Sequence, residues 1–187
     1  MKSTLTIDEY GNKYWKLPNG DYHRDDGPAL EDADGIERQW WVNGNLHRDN
    51  DPALIRNTGN NCSKVWMVNG QCHREDGPAV YNSSGNNEWW VNGKLHRIDG
   101  PALETSVGNN EWWINGERHR EDGPAVDHRL NGRKEWWING EKHREDGPAM
   151  EWSNGDKKWF ISGIQKSEVI YNKNMRSRKL NQLLHQK

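Results

Sequence analysis

One phrase, spoken twice between Glu88 and Val126, constrains this chain more than any other feature. It runs Trp89-Trp90-Val91-Asn92-Gly93, two further residues, then His96-Arg97. It returns as Trp112-Trp113-Ile114-Asn115-Gly116 and His119-Arg120, each time followed by x-Asp-Gly-Pro-Ala. A period in this range marks a stack of like units, each of which buries its apolar surface only against its neighbours. A globular fold with a single asymmetric core is a poor fit to such a sequence.

The rest of the chain consists of further copies, decayed copies and caps. Successive histidines of the phrase, His23, His47, His73, His96, His119 and His143, are spaced 24, 26, 23, 23 and 24 residues apart. The variation falls between Pro-Ala and the next Trp, so insertions are confined to one turn. The first unit lacks the Trp pair, with Trp15 one place upstream. The second carries Asn50-Asp51 where the others have Asp-Gly, and a seventh, Trp159-Phe160-Ile161-Ser162-Gly163, starts the phrase and stops.

Trp, Val and Ile favour strands, and Asn-Gly behind an apolar run is a strong hairpin signal. Two strands per unit keep every copy in the same setting, whereas three would reverse alternate units. The sequence therefore predicts one strand through Trp-Trp-Val and one through Pro-Ala-Val, with Asn-Gly to Asp-Gly as a wide loop along one edge. The expected fold class is all-β: an elongated single-sheet antiparallel β-hairpin ribbon with a short C-terminal helix cap. About thirteen strands at ~4.8 Å would make it ~60 Å long. Residues 1–13 read as an N-terminal cap, 14–165 as six to seven repeats, and 166–187 as a basic helix. Ser167-Glu168 resembles a helix start, and Val169, Ile170, Leu180, Leu183 and Leu184 would form its apolar face.

Composition narrows the function. Hydrophobic residues make up 32% and mean hydropathy is −1.23, yet there are 12 Trp against one Phe. Apolar area is thus packed into few large rings, unlike a disordered chain. A formal net charge of −2 disfavours nucleic-acid binding by bulk electrostatics. Cys62 and Cys72 lie outside the phrase and read as unpaired thiols. With no apolar stretch long enough for a signal peptide or membrane span, the expectation is a cytoplasmic protein that does not span a membrane.

His-Arg-x-Asp invites metal and catalytic readings, which distance argues against. Equivalent residues two strands apart lie ~10 Å from each other, whereas zinc holds each His nitrogen at ~2.0 Å. Six copies of a catalytic site are also improbable where enzymes build one pocket, and no copy sets a Ser or Cys nucleophile beside its His. The expectation is no catalytic residue, no metal and no cofactor. In a structural role, Asp would cap the loop, Gly would supply permissive dihedrals and Pro would fix the exit. Arg would pair with that Asp or with Glu88, Glu111 and Glu135, and His would bond loop backbone or stack on Trp. In a strand the two Trp rings face opposite sides, which leaves one row as a candidate partner surface. The candidate binding residues are Trp41, Trp90, Trp113 and Trp137, with Arg97, Arg120 and Arg144.

The order aromatic-x-x-Asn-Gly-x-x-His, then Gly and a second strand, resembles the MORN repeat over roughly residues 14–165. It is most similar to the Trp-rich form with His-Arg-Glu-Asp-Gly-Pro-Ala loops found in repeat proteins of giant viruses and large phages. Arg97, Arg120 and Arg144 stand where the usual pattern has Gly. The resemblance implies an antiparallel β ribbon serving as scaffold or binding module, with no catalytic residues. The expected function is a non-enzymatic protein–protein interaction module whose partner is a host factor or virion component. The alternative is a binder of a small anionic ligand, nucleotide or glycan, through Trp and Arg. Nucleic-acid binding through the basic tail ranks third.

Overall fold

The computed structural model describes residues 2–184. The chain divides into two compact units. The first runs up to Arg97 and takes in Ala102–Ser106; the second comprises Ile98–Pro101 and the chain from Val107 onward.

In the first unit the strands Thr4–Ile7, Lys13–Lys16, Leu30–Glu31, Glu37–Gln39, Leu54–Thr58, Asn61–Val65, Val80–Asn82, Asn86–Glu88 and Leu103–Glu104 lie side by side in chain order. Each is antiparallel to the next. The second unit repeats the scheme with Asn109–Glu111, Val126–His128, Arg133–Glu135, Met150–Glu151, Lys157–Ile161 and Ile164–Lys166, followed by a helix over Glu168–Leu184. The fold is therefore all-β, built of antiparallel hairpins, with one C-terminal helix among the described residues.

The strand expected through Trp-Trp-Val is not one strand. The long-sheet strand ends before the first Trp, and the second Trp opens a separate small hairpin. These hairpins pair Trp41–Val42 with Asn45–Leu46, Met67–Val68 with Gln71–Cys72, Trp90–Val91 with Lys94–Leu95, Trp113–Ile114 with Glu117–Arg118, and Trp137–Ile138 with Glu141–Lys142. The first Trp is the hinge, because both of its backbone groups are claimed by the following loop. Trp112 N–H donates to Ala125 C=O at 2.8 Å, and Trp112 C=O accepts from His119 N–H at 3.1 Å. The same two bonds recur at Trp40, Trp66 and Trp136; Trp15, in the first-Trp position of the opening unit, makes them too but stays within the strand Lys13–Lys16, which Thr4–Ile7 holds on its other side. Trp159 is followed by neither His nor Pro-Ala, and there Lys157–Ile161 runs through as one strand.

The core is thin and depends on small side chains. Ala29, Ala53, Ala79, Ala102, Ala125 and Ala149 are fully buried, while every Trp is half-buried.

Residues 1–13 do more than cap: Thr4–Ile7 is a strand paired to Lys13–Lys16. At the other end, Ser167 Oγ accepts from Ile170 N–H at 3.4 Å as an N-cap. Of the expected apolar face, Val169 is 77% and Ile170 51% exposed. The helix is anchored by Tyr171, buried, with its hydroxyl donating to Arg144 C=O at 3.1 Å. Arg178 adds an ion pair to Glu145 at 2.5 Å. Leu180, Leu183 and Leu184 lie outside the residues whose side chains are described.

Candidate binding surfaces

Each small hairpin closes with a two-residue turn in which both central residues have positive φ, 53° at Asn115 with 85° at Gly116 and 49° at Asn139 with 75° at Gly140. This is the type I′ geometry that Asn-Gly favours. It exposes the turn amides toward the preceding repeat; two bonds use them, and a third joins the same two repeats. His Nδ1 accepts from the next repeat's Asn N–H: His23 from Asn43 at 3.2 Å, His47 from Asn69 at 3.1 Å, His73 from Asn92 at 3.1 Å and His119 from Asn139 at 3.2 Å. The turn Gly N–H donates to the residue before His, as Gly140 does to Arg118 C=O at 3.0 Å. The loop Arg N–H donates to the next second-Trp carbonyl, as Arg120 does to Trp137 C=O at 3.0 Å. The His is thus an inter-repeat clamp. The other ring nitrogen, Nε2, faces the carboxylate two residues on: Asp25 at 3.3 Å, Asp49 at 3.4 Å, Glu121 at 3.8 Å.

The loop Arg has an equally fixed place. Its guanidinium lies over the first Trp of its own repeat, 3.9 Å from the ring centre for Arg24 on Trp15, Arg97 on Trp89 and Arg120 on Trp112, and 3.8 Å for Arg144 on Trp136. Arg120 Nε donates to Asp122 at 2.7 Å and its NH1 to Pro124 C=O at 3.3 Å; Arg144 does the same with Asp146 and Pro148. The hydrogen bond from Arg, then its charge, holds the Asp76 and Asp122 carboxyls below their ordinary value. The expected pairing with Asp is therefore present. Pairing with the Glu before the Trp pair is replaced by bonds to the Glu after Ala, Arg97 to Glu104 at 2.9 Å and Arg144 to Glu151 at 3.0 Å.

The Gly of Asp-Gly-Pro is there for space, not for φ. Gly27, Gly77, Gly123 and Gly147 do not have positive φ, but a Cβ on any of them would come within 2.9–3.1 Å of the loop guanidinium carbon. Where Asp51 takes this place, Asn50 moves to a φ of 63° and Arg48 pairs with Asp51 at 3.0 Å.

Glu88, Glu111 and Glu135 serve the second Trp. Indole N–H donates to them from Trp90 at 2.7 Å, Trp113 at 3.1 Å and Trp137 at 2.8 Å, while Trp41 uses Gln39 at 2.8 Å. Glu135 is fully buried and gains Arg133 at 2.5 Å. Glu111 gathers Arg118 and His128 at 2.9 and 3.1 Å. In the second unit cations alternate with these rings. Arg118 sits 4.8 Å from Trp113 and 5.3 Å from Trp137; Lys142 sits 5.1 Å from Trp137 and 5.3 Å from Phe160. In the first unit the ladder starts with Tyr14, Tyr22 and Trp41, and Lys16 lies 4.8 Å from Tyr22.

With Arg and His turned inward, the outward groups of the loops are carboxylates. Asp25, Asp26, Asp49, Glu75, Asp76, Glu121, Asp122 and Asp146 have side chains at least 80% exposed. Between successive loops lie clefts of similar make. One of about 570 Å³ has Trp40, Val42 and Pro28 as apolar lining and Asp25, Asp26 and Asp49 at its margins. The next, about 390 Å³, has Trp66 and Val68 with Asp49, Glu75 and Asp76. A third in the second unit, about 460 Å³, has Trp136 and Ile138 with Glu121, Asp122 and Glu145. These clefts were not foreseen from sequence; the acidic residue after His-Arg in most repeats was their only signal.

Cys62 and Cys72 are free, and burial, then the charge of Glu88, pushes the Cys72 thiol up. Among the described residues no three His, Cys, Asp or Glu side chains converge to hold a metal, and no helix is long and apolar enough to cross a membrane. The chain matches no protein-family model and no curated protein.

Proposed function

We propose that this chain is a MORN-like, non-enzymatic binding module that engages another protein through surfaces repeated along each unit. The observation that carries this reading is the recurrence of one surface chemistry, with an acid-rimmed cleft and a half-buried second Trp in repeat after repeat. Repeat proteins bind in this way because stacked units present long, regular contact surfaces. The similarity to Trp-rich repeats of giant viruses and large phages would make the partner a host factor or virion component.

The test is affinity capture with the full chain and two variants. One carries Trp113→Leu with Trp137→Leu; the other carries Asp25→Asn with Asp49→Asn. A partner captured by the parent and released by either variant supports the reading. If both folded variants retain every captured protein, these surfaces are not the binding site.

Trp137 and Phe160 flanking Lys142 support a second reading, a small anionic ligand stacked on an aromatic ring beside a cation. A thermal-shift screen against nucleotides and anionic glycans tests it: a rise in melting temperature abolished by Lys142→Gln supports it, and no shift from any of them counts against it.

A further inference from the structure

We infer that the loop edge of the first unit holds an extended cationic peptide, with one Lys or Arg side chain seated in each cleft. This rests on the protein-binding reading above and names the partner's chemistry. Three observations converge on it.

The first concerns charge that is already spent. Arg24 bonds Asp26 at 2.7 Å and Pro28 C=O at 3.3 Å while stacked on Trp15; Arg74 bonds Asp76 at 2.7 Å and Pro78 C=O at 3.3 Å while stacked on Trp66. Arg48 bonds Asp51 at 3.0 Å and lies over Trp40 at 4.0 Å. Guanidiniums fixed in this way have little capacity left for an anion. The second concerns charge that remains. The first cleft is lined by two Arg (Arg24, Arg48) and three Asp (Asp25, Asp26, Asp49), and the second by two Arg (Arg48, Arg74) and three acids (Asp49, Glu75, Asp76), a surplus of one negative charge in each. The carboxylates of Asp25, Asp49 and Glu75 face outward, 84%, 80% and 84% exposed, with a His Nε2 at 3.3, 3.4 and 4.0 Å as their partner.

The third is shape and spacing. Trp40 with Val42, and Trp66 with Val68, offer apolar floors to the methylene stem of a long cationic side chain whose head stays at the acidic rim. Equivalent positions in neighbouring repeats are two strands apart, ~9.6 Å, and a peptide in the polyproline II conformation advances ~3.1 Å per residue with every third side chain on the same face, ~9.3 Å. Cations on every third residue would therefore match the clefts. Every second or every fourth would fall out of step.

The test uses fluorescence anisotropy with the full chain and labelled synthetic peptides of identical composition, three Lys among Ala and Ser, spaced every second, third or fourth residue. The third-residue peptide should bind about tenfold more tightly than the other two, as expected for a few partly screened ion pairs. It should lose about tenfold on the folded triple variant Asp25→Asn, Asp49→Asn, Glu75→Gln, and weaken with added salt. Equal affinity for all spacings, or unchanged binding to the triple variant, overturns the inference. No binding of any peptide, while the affinity-captured partner is retained by the triple variant and released by the Trp113/Trp137 variant, overturns it too and leaves the protein-binding reading standing. Capture of no protein at all sinks that reading instead.

Discussion

The stacked Arg–Trp node recurs in successive repeats, and its energetics can be isolated at Arg120. The guanidinium lies 3.9 Å from the Trp112 ring centre, donates to Pro124 C=O at 3.3 Å and has a side chain 24% exposed. A cation over an indole at a partly exposed site contributes about 0.5–1 kcal/mol. The bond to the carbonyl adds about 1 kcal/mol. The contact with Asp122 is screened by solvent and is left out of the sum. Arg120→Met should therefore destabilise by about 1.5–2 kcal/mol, a fall in melting temperature of roughly 3–8 °C for a chain of this size. Arg120→Lys keeps the charge but loses the planar stack and the fork, and should retain no more than about a third of that stabilisation. Urea denaturation followed by circular dichroism measures both, and a double-mutant cycle with Trp112→Leu should return a coupling of about 0.5–1 kcal/mol. A Lys variant as stable as the parent, or a coupling indistinguishable from zero, would show that charge alone holds the loop.

Four further expectations follow from the geometry. His119→Leu removes the acceptor for Asn139 N–H and should cost about 1 kcal/mol; hydrogen exchange at that amide should accelerate, and unchanged protection would mean the clamp is idle. Ser162 holds a φ of 46° where other repeats have Asn, so Ser162→Asn should raise stability by about 0.5 kcal/mol in thermal melts, because Asn tolerates the left-handed region better. Gly140→Ala, at a φ of 75°, should destabilise by about 1 kcal/mol or more, and a neutral result would rule out the type I′ turn. The Asp76 and Asp122 carboxyls are held low by hydrogen bonds and charge from Arg74 and Arg120. Their folded values lie below the unfolded ones, so the stability they contribute is present above the ordinary carboxylate range and lost as pH falls through the depressed values. Carboxyl titration by NMR should find both below the ordinary Asp value; titration at that value would remove the effect.

Much of this architecture can be read from local chemistry. Asn-Gly directly behind the Trp-Trp-Val run favours a turn with two positive φ values, and Asn43, Asn69, Asn92, Asn115 and Asn139 all adopt it. The 23-residue offset forces equivalent settings on equivalent residues, so the all-β hairpin stack follows once Trp, Val and Ile are read as strand formers. The Ser167 cap is likewise local, since it depends on an amide three residues away.

What tertiary contact alone decided is where the strand breaks. Nothing within Glu111-Trp112-Trp113 marks a hinge; the strand ends where Ala125 and His119, many residues later, take both backbone groups of Trp112, whereas at Trp15 the added pairing with Thr4–Ile7 accompanies a strand that runs through. The first ring is left between the two strands with Arg stacked on it, and the second opens the small hairpin. With Arg stacked there, the acidic residues are left as the outward chemistry of the loop edge. The Gly of Asp-Gly-Pro shows the same division. Its identity suggested a backbone conformation, whereas the folded loop needs it because the Arg side chain occupies the place of its missing Cβ. Val169 and Ile170 complete the case: helical periodicity marks an apolar face, but only the sheet it meets determines that Tyr171 is the residue buried.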